Sequence, residues 1–177
     1  MYWRYDLNPH LTELLRNQIV TKGVDAITIN LLELGSMVMT AYVTQVILQD
    51  RPKKPGDPVL LRGDNVAAEL LINRCGGSRN RRAALAMTLL GGLEITSGWS
   101  HDAKLIPGVQ NVVAEGISRW PKEKIARNLQ TLVQGEWREQ TIGKRGCEIF
   151  VTILQPDFPT EYMDGIVWGA MTRNAQS

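Results

Sequence analysis

Apolar and polar positions along the chain alternate between two periods. Residues 2–5 (YWRY) are aromatic and extended in character and predict a short strand. Asn8-Pro9 opens a helix over 10–18, with Leu11, Leu14 and Leu15 on one face. Residues 22–28 read as a connection. The strongest helical period follows over 30–49, where Leu31, Leu34, Val38, Tyr42 and Val46 recur near helical spacing. Asn30 stands as its expected N-cap, with Glu33 three places on as in a capping box. Pro52, Pro55, Gly56 and Pro58 end that period.

Val59-Leu60-Leu61 is a short continuous apolar run, the pattern of a strand buried on both faces, and it closes on Arg62-Gly63-Asp64-Asn65. Helices are predicted over 66–73, ended by Gly76-Gly77, and from the arginines at 79–82 to about 96. A strand is predicted over 99–106, a turn at Pro107-Gly108, and a helix over 111–120. Strand, helix, strand, helix, helix, strand, helix is an order that favours α/β layers. After Pro121 the pattern becomes charged and amphipathic. It predicts helices over 122–134, 142–154 and 162–171, the last two split by Pro156 and Pro159. The expected division is residues 1–120 as one α/β domain and 121–177 as a small helical region.

Composition narrows this picture only a little. The chain has 177 residues, 44% of them apolar, so a core can form; its net charge of +2 means that any nucleic-acid surface must come from local clustering. Cys75, Cys147, His10 and His101 show no zinc spacing. The N-terminus lacks the basic-then-apolar pattern of a signal peptide, and Asn30, Glu33, Thr40, Thr44 and Gln45 interrupt the apolar stretch 27–48. The expectation is therefore an intracellular protein of cytoplasm or nucleus with no membrane span.

Three carboxylates are the candidate chemistry. Asp64 ends the central short strand, where open α/β sheets gather functional groups. Glu33 lies in the first turn of the helix that leads into that strand, and Glu115 in the last helix before residue 120. Converging carboxylates repel unless protonated or bridged by cations, and oxygen ligands select Mg²⁺ or Mn²⁺. Each has a simpler reading: Glu33 as a capping-box residue, Asp64 as N-cap of the next helix, Glu115 as a solvated helix residue. Arg74, Arg79, Arg81 and Arg82 surround a glycine pair and suit phosphate binding, the alternative being a solvated loop. His101 beside Asp102 is a weaker candidate for moving protons.

Three stretches carry a family resemblance spanning about residues 2–120. INLLELGSMVMTAYV resembles the ribonuclease H helix whose glutamate binds metal. VLLRGDN resembles the strand whose terminal aspartate does so. LIPGVQNVVAEGISRW resembles the closing motif of retroelement versions, with Glu115 where aspartate is usual. The resemblance is to retroelement polyproteins that pair a reverse transcriptase with a tyrosine recombinase. It implies an α/β, incomplete ribonuclease H-like fold: a mixed sheet with flanking helices, followed by a helical linker or the start of a recombinase-like DNA-binding region. It further implies Glu33, Asp64 and Glu115 as catalytic and metal-binding residues, Mg²⁺ or Mn²⁺ as cofactor, an RNA–DNA hybrid or DNA as partner, and an ancestral two-metal endonuclease. The family's first strand and its aspartate have no counterpart: Asp6 lacks that context, and Asp25-Ala26 stands too close to Glu33 for the intervening hairpin. An inactive remnant is expected unless an upstream polyprotein segment supplies the missing group. The competing expectation is a noncatalytic helical DNA-binding or assembly module centred on 121–177, with Lys122, Lys124, Arg127, Lys144 and Arg145 as its cations.

Overall fold

The computed structural model describes residues 2–4, 9–19, 27–48, 58–74, 77–133 and 135–154. Asp6, Asp25, Lys53, Lys54, Cys75, Gly76 and the helix expected over 162–171 lie outside them. The described elements run α1 (Pro9–Ile19), α2 (Ile29–Leu48), β1 (Pro58–Gly63), α3 (Val66–Asn73), α4 (Arg81–Ser97), β2 (Ser100–Leu105), α5 (Val112–Arg119), α6 (Ile125–Leu132) and α7 (Lys144–Leu154). Short 3₁₀ turns precede α5 and α6. The class is mixed α/β, with one two-stranded parallel sheet among the described residues.

Helix ends differ from expectation in two places that matter later. α2 is capped by Thr28, whose hydroxyl and carbonyl both accept from Leu31 N–H. Asn30 is therefore already inside the helix, and Glu33 is two residues too far along to close a capping box. α3 is capped by Asn65, whose side chain accepts from Ala68 N–H at 3.0 Å. Asp64 is left outside that role. α4 starts after Asn80, which accepts from Ala83 N–H, and stops at Gly98 with a left-handed φ of 69°, a conformation that costs glycine nothing.

β1 and β2 pair in parallel from Pro58–Ser100 to Gly63–Leu105. The expectation that β1 is buried on both faces is corrected. Leu61 is buried, but Leu60 is 45% exposed, and Pro58 and Arg62 are exposed too. Only the face carrying Val59, Leu61, His101 and Ala103 is covered, because the helices packed on the sheet lie on that side. The segment 2–4 joins no strand pair of length; Tyr2 makes an isolated parallel bridge to Glu139.

The main core gathers Leu31, Leu34 and Val38 of α2, Leu61 of β1, Ile72 of α3, Leu89 and Leu90 of α4, and Ile149, Ile153 and Leu154 of α7. α2 has the length and apolar composition to cross a membrane, yet β1, α3, α4 and α7 pack around it and eight of its residues are buried. A second, smaller cluster joins Tyr2 to Ile125 and Leu129, with Val113, Ile117, Trp120 and Trp137 at its edge. Both clusters therefore join residues from either side of position 120. Gly116 belongs to the second one: a Cβ there would overlap the Trp120 ring.

Two measurements check these packing assignments. Ile153→Ala removes a side chain with no exposed surface and should cost about 2–5 kcal/mol in denaturant unfolding; a loss under about 0.5 kcal/mol would make α7 a surface appendage. Gly116→Ala forces Trp120 to move and should cost roughly 1–3 kcal/mol, read as a lower denaturation midpoint.

Candidate carboxylate site

Asp64 is the first residue beyond β1, held there by two features of its neighbours. Gly63 has no side chain, and a Cβ at that position would stand 2.7 Å from Met37 Cε. α2 thus approaches the strand end over a glycine, at a distance that a larger residue would contest. On the other flank, Asn65 Nδ2 donates to Asn30 Oδ1 at 2.8 Å. Asn30 and Met37 lie three residues before and four after Glu33, so all three share one face of α2. The two contacts bracket Glu33 and bring its turn of helix to the end of β1.

The third carboxylate arrives through β2. Ile106 N–H donates to Gly63 carbonyl at 2.8 Å, extending the strand pair by one rung. The 3₁₀ turn Gly108–Gln110 then passes Asp64: a Cβ on Gly108 would sit 3.9 Å from Asp64 Oδ2. α5 follows, with Glu115 in its first turn. Its carboxylate is held at 2.7 Å by Arg119, four residues on.

Asp64 and Glu115 therefore both lie within electrostatic reach of Glu33. Burial, then the charges of Asp64 and Glu115, push the Glu33 carboxyl above the usual glutamate range. They do not form a closed ligand cage: among the described residues no group of three or more His, Cys, Asp or Glu side chains is placed to hold one metal ion. Glu115 is the member turned to another partner. Glu33 and Asp64 have no cationic partner among the described residues.

Both carboxylates line a cavity of about 570 Å³. Its floor is the stripe of α2 from Glu33 to Ile47. Its walls are Arg62–Asp64, the N-terminal Tyr2, Trp3 and Arg4, residues of α5, and Trp137 with Gln140. Arg4 is fixed as a wall because its guanidinium donates to Ile117 and Trp120 carbonyls at the end of α5, at 3.2 and 2.8 Å. Sequence reasoning did not single out Met37, Arg4 or Trp137, and it took Asn30 only as a helix cap. The Glu33–Met37 spacing and the glycine before Asp64 were the available signals.

The arginine cluster is divided. Arg74, Arg79 and Arg81 are exposed, but Arg82 is buried, at 7% exposure. Starting α4 at Arg81 puts position 82 in line with Ala86, Leu89 and Leu93 on the core face, so Arg82 is removed from the phosphate-binding candidates. His101 is buried away from the carboxylate cavity. Its Nδ1 lies 3.3 Å from Glu94 Oε1, and burial pushes its imidazole below the usual range despite that carboxylate. Its position on the edge of β2 makes it a structural residue rather than a proton carrier for Asp64.

Comparison with known proteins returned no similar family model, curated protein or solved structure.

A raised carboxyl pKa in the folded state fixes a sign. The native protein binds more protons than the unfolded chain between pH 4.5 and the elevated value, so the Glu33 contribution favours folding at low pH and is lost as pH rises through that window. Glu33→Gln removes the charge at nearly constant shape. It should raise the melting temperature at pH 7 by roughly 1–3 °C and leave it unchanged near pH 4. A melting temperature lowered at pH 7 would show that the charged form of Glu33 is satisfied in the fold.

Proposed function

We propose that this protein is a ribonuclease H-like module of retroelement ancestry that binds nucleic acid and holds a divalent cation at Glu33 and Asp64, without cleaving by itself. The observation that carries the reading is the juxtaposition of those two carboxylates. Neither caps a helix, neither has a cationic partner among the described residues, and Glu33 is held above its usual pKa partly by Asp64. A site that gathers unneutralised carboxylates at the carboxyl end of a strand suits a cation with oxygen ligands.

The element order is also consistent with that family: a long helix bearing a glutamate, a strand ending in aspartate, two helices, a parallel strand, and a short helix bearing the last acid. Bound Mg²⁺ or Mn²⁺ would supply charge neutralisation for phosphate oxygens and activation of water. Glu33 and Asp64 are the residues to hold it. Glu115 is drawn off by Arg119, and no other described carboxylate completes the set, which is why hydrolysis is not assigned. Arg74, Arg79 and Arg81 provide exposed cations for the phosphate backbone, and recognition would rest on shape and 2′-hydroxyls rather than sequence. The alternative helical module centred on 121–177 has less support, since the apolar residues of α7 are already committed to the main core.

The test combines metal and nucleic acid. Mg²⁺ at ten times its dissociation constant should raise the melting temperature by about 3–5 °C, and the rise should vanish in Glu33→Gln and Asp64→Asn. An RNA–DNA hybrid should bind with a salt dependence that weakens in an Arg74/Arg79/Arg81 to alanine variant, without strand scission. Turnover lost in Asp64→Asn would refute the noncatalytic part; absence of both metal stabilisation and hybrid binding would refute the whole reading.

A further inference from the structure

The two outer edges of the sheet are treated differently. In a parallel ladder, successive residues turn their N–H and C=O alternately to either side. On β2 the outward-facing residues are His101 and Ala103, and both are sealed by side chains. Glu94 accepts from His101 N–H at 2.8 Å, while the Asn73 amide accepts from Ala103 N–H at 2.7 Å and donates to its carbonyl at 2.9 Å. The inward set then pairs with Val59, Leu61 and Gly63, in agreement with the Ile106–Gly63 bond. Leu60 and Arg62 are left facing outward on β1, and no described residue bonds to their backbone groups.

This open edge meets the cavity at Arg62. The α2 stripe of Ser36, Met37, Thr40, Val43, Thr44 and Ile47 lies beside it. From Glu33 to Ile47 that stripe is ~21 Å long, and six residues of β1 span ~20 Å. A strand hydrogen-bonded to β1 would lie ~4.8 Å from it, over the stripe. On the open face of the sheet Arg62 stands in register with Lys104, and neither has an acidic partner among the described residues. Like charges side by side disfavour the pair, so an acid on an added strand would relieve it.

We infer that the outer edge of β1 and the adjoining α2 stripe form an acceptor site for one extended segment of a partner polypeptide, apolar at alternate positions and acidic where it passes Arg62. The mode is strand addition: main-chain bonds to Leu60 and Arg62 give affinity, and the α2 stripe and Arg62 select side chains. A second copy of this chain is the poorer occupant. Its β1, PVLLRG, has no acid to set against Arg62 and would bring a second arginine to the edge instead. The inference is independent of metal at Glu33 and Asp64.

The peptide acetyl-VTVEVT-amide is a suitable probe, titrated in EDTA and followed by tryptophan fluorescence and by hydrogen exchange at the Leu60 and Arg62 amides. Saturable binding with slowed exchange at those two amides is expected. Leu60→Pro and Arg62→Pro remove outward donors while sparing the β1–β2 ladder, so each should weaken binding at least tenfold with the far-UV spectrum unchanged. Because a proline variant can fail to fold, Arg62→Glu serves as a second probe: it should lose acetyl-VTVEVT-amide and gain acetyl-VTVKVT-amide. The inference is overturned by no binding at millimolar peptide, by indifference to the charge exchange, or by a dimer in sedimentation whose Leu60 and Arg62 amides are already protected without peptide.

Discussion

α2 meets the end of β1 with the tip of Met37 lying against Gly63. The carboxylate site is gathered around that approach. Glu33 and Asp64 both line the cavity beside it, and only a side chain added at Gly108 would come into contact with Asp64. The Asn30–Asn65 bond acts at the other end of the same turn and fixes its rotation. A helix held at two points seven residues apart has little freedom left to carry Glu33 away. The price is a carboxyl group held partly out of water beside others of the same charge.

The order of elements was legible in the sequence because strong periods and strong breakers agree. The α2 period, the Val59–Leu61 run and the Pro107-Gly108 turn each mark their element. What was not legible is long-range. Asn30 and Thr28 are both acceptable caps, and only the finished helix shows that Thr28 takes the role. Leu60 reads as core by composition but faces out, because one helical layer covers one side of the sheet. Arg82 reads as surface by charge but is carried inward by the register that Asn80 sets for α4.

For the site, the three acidic positions could be named. Their separation could not be named. Glu115 illustrates the difference: its helix follows the turn beside Asp64, while its carboxylate is paired locally with Arg119, four residues on. Local chemistry of that kind depends on rotamers. No pattern of apolar and polar residues encodes it.

The burial of α7 against α2 has a consequence for synthesis on the ribosome. The apolar face of α2 emerges roughly a hundred residues before the helix that covers part of it, a delay on the order of 5–20 s at ~5–20 residues per second. Throughout that interval a twenty-residue helix as greasy as a bilayer span waits half-clothed. A chain ended ahead of residue 144 would lack Ile149, Ile153 and Leu154, and the part of α2 that they cover would face water.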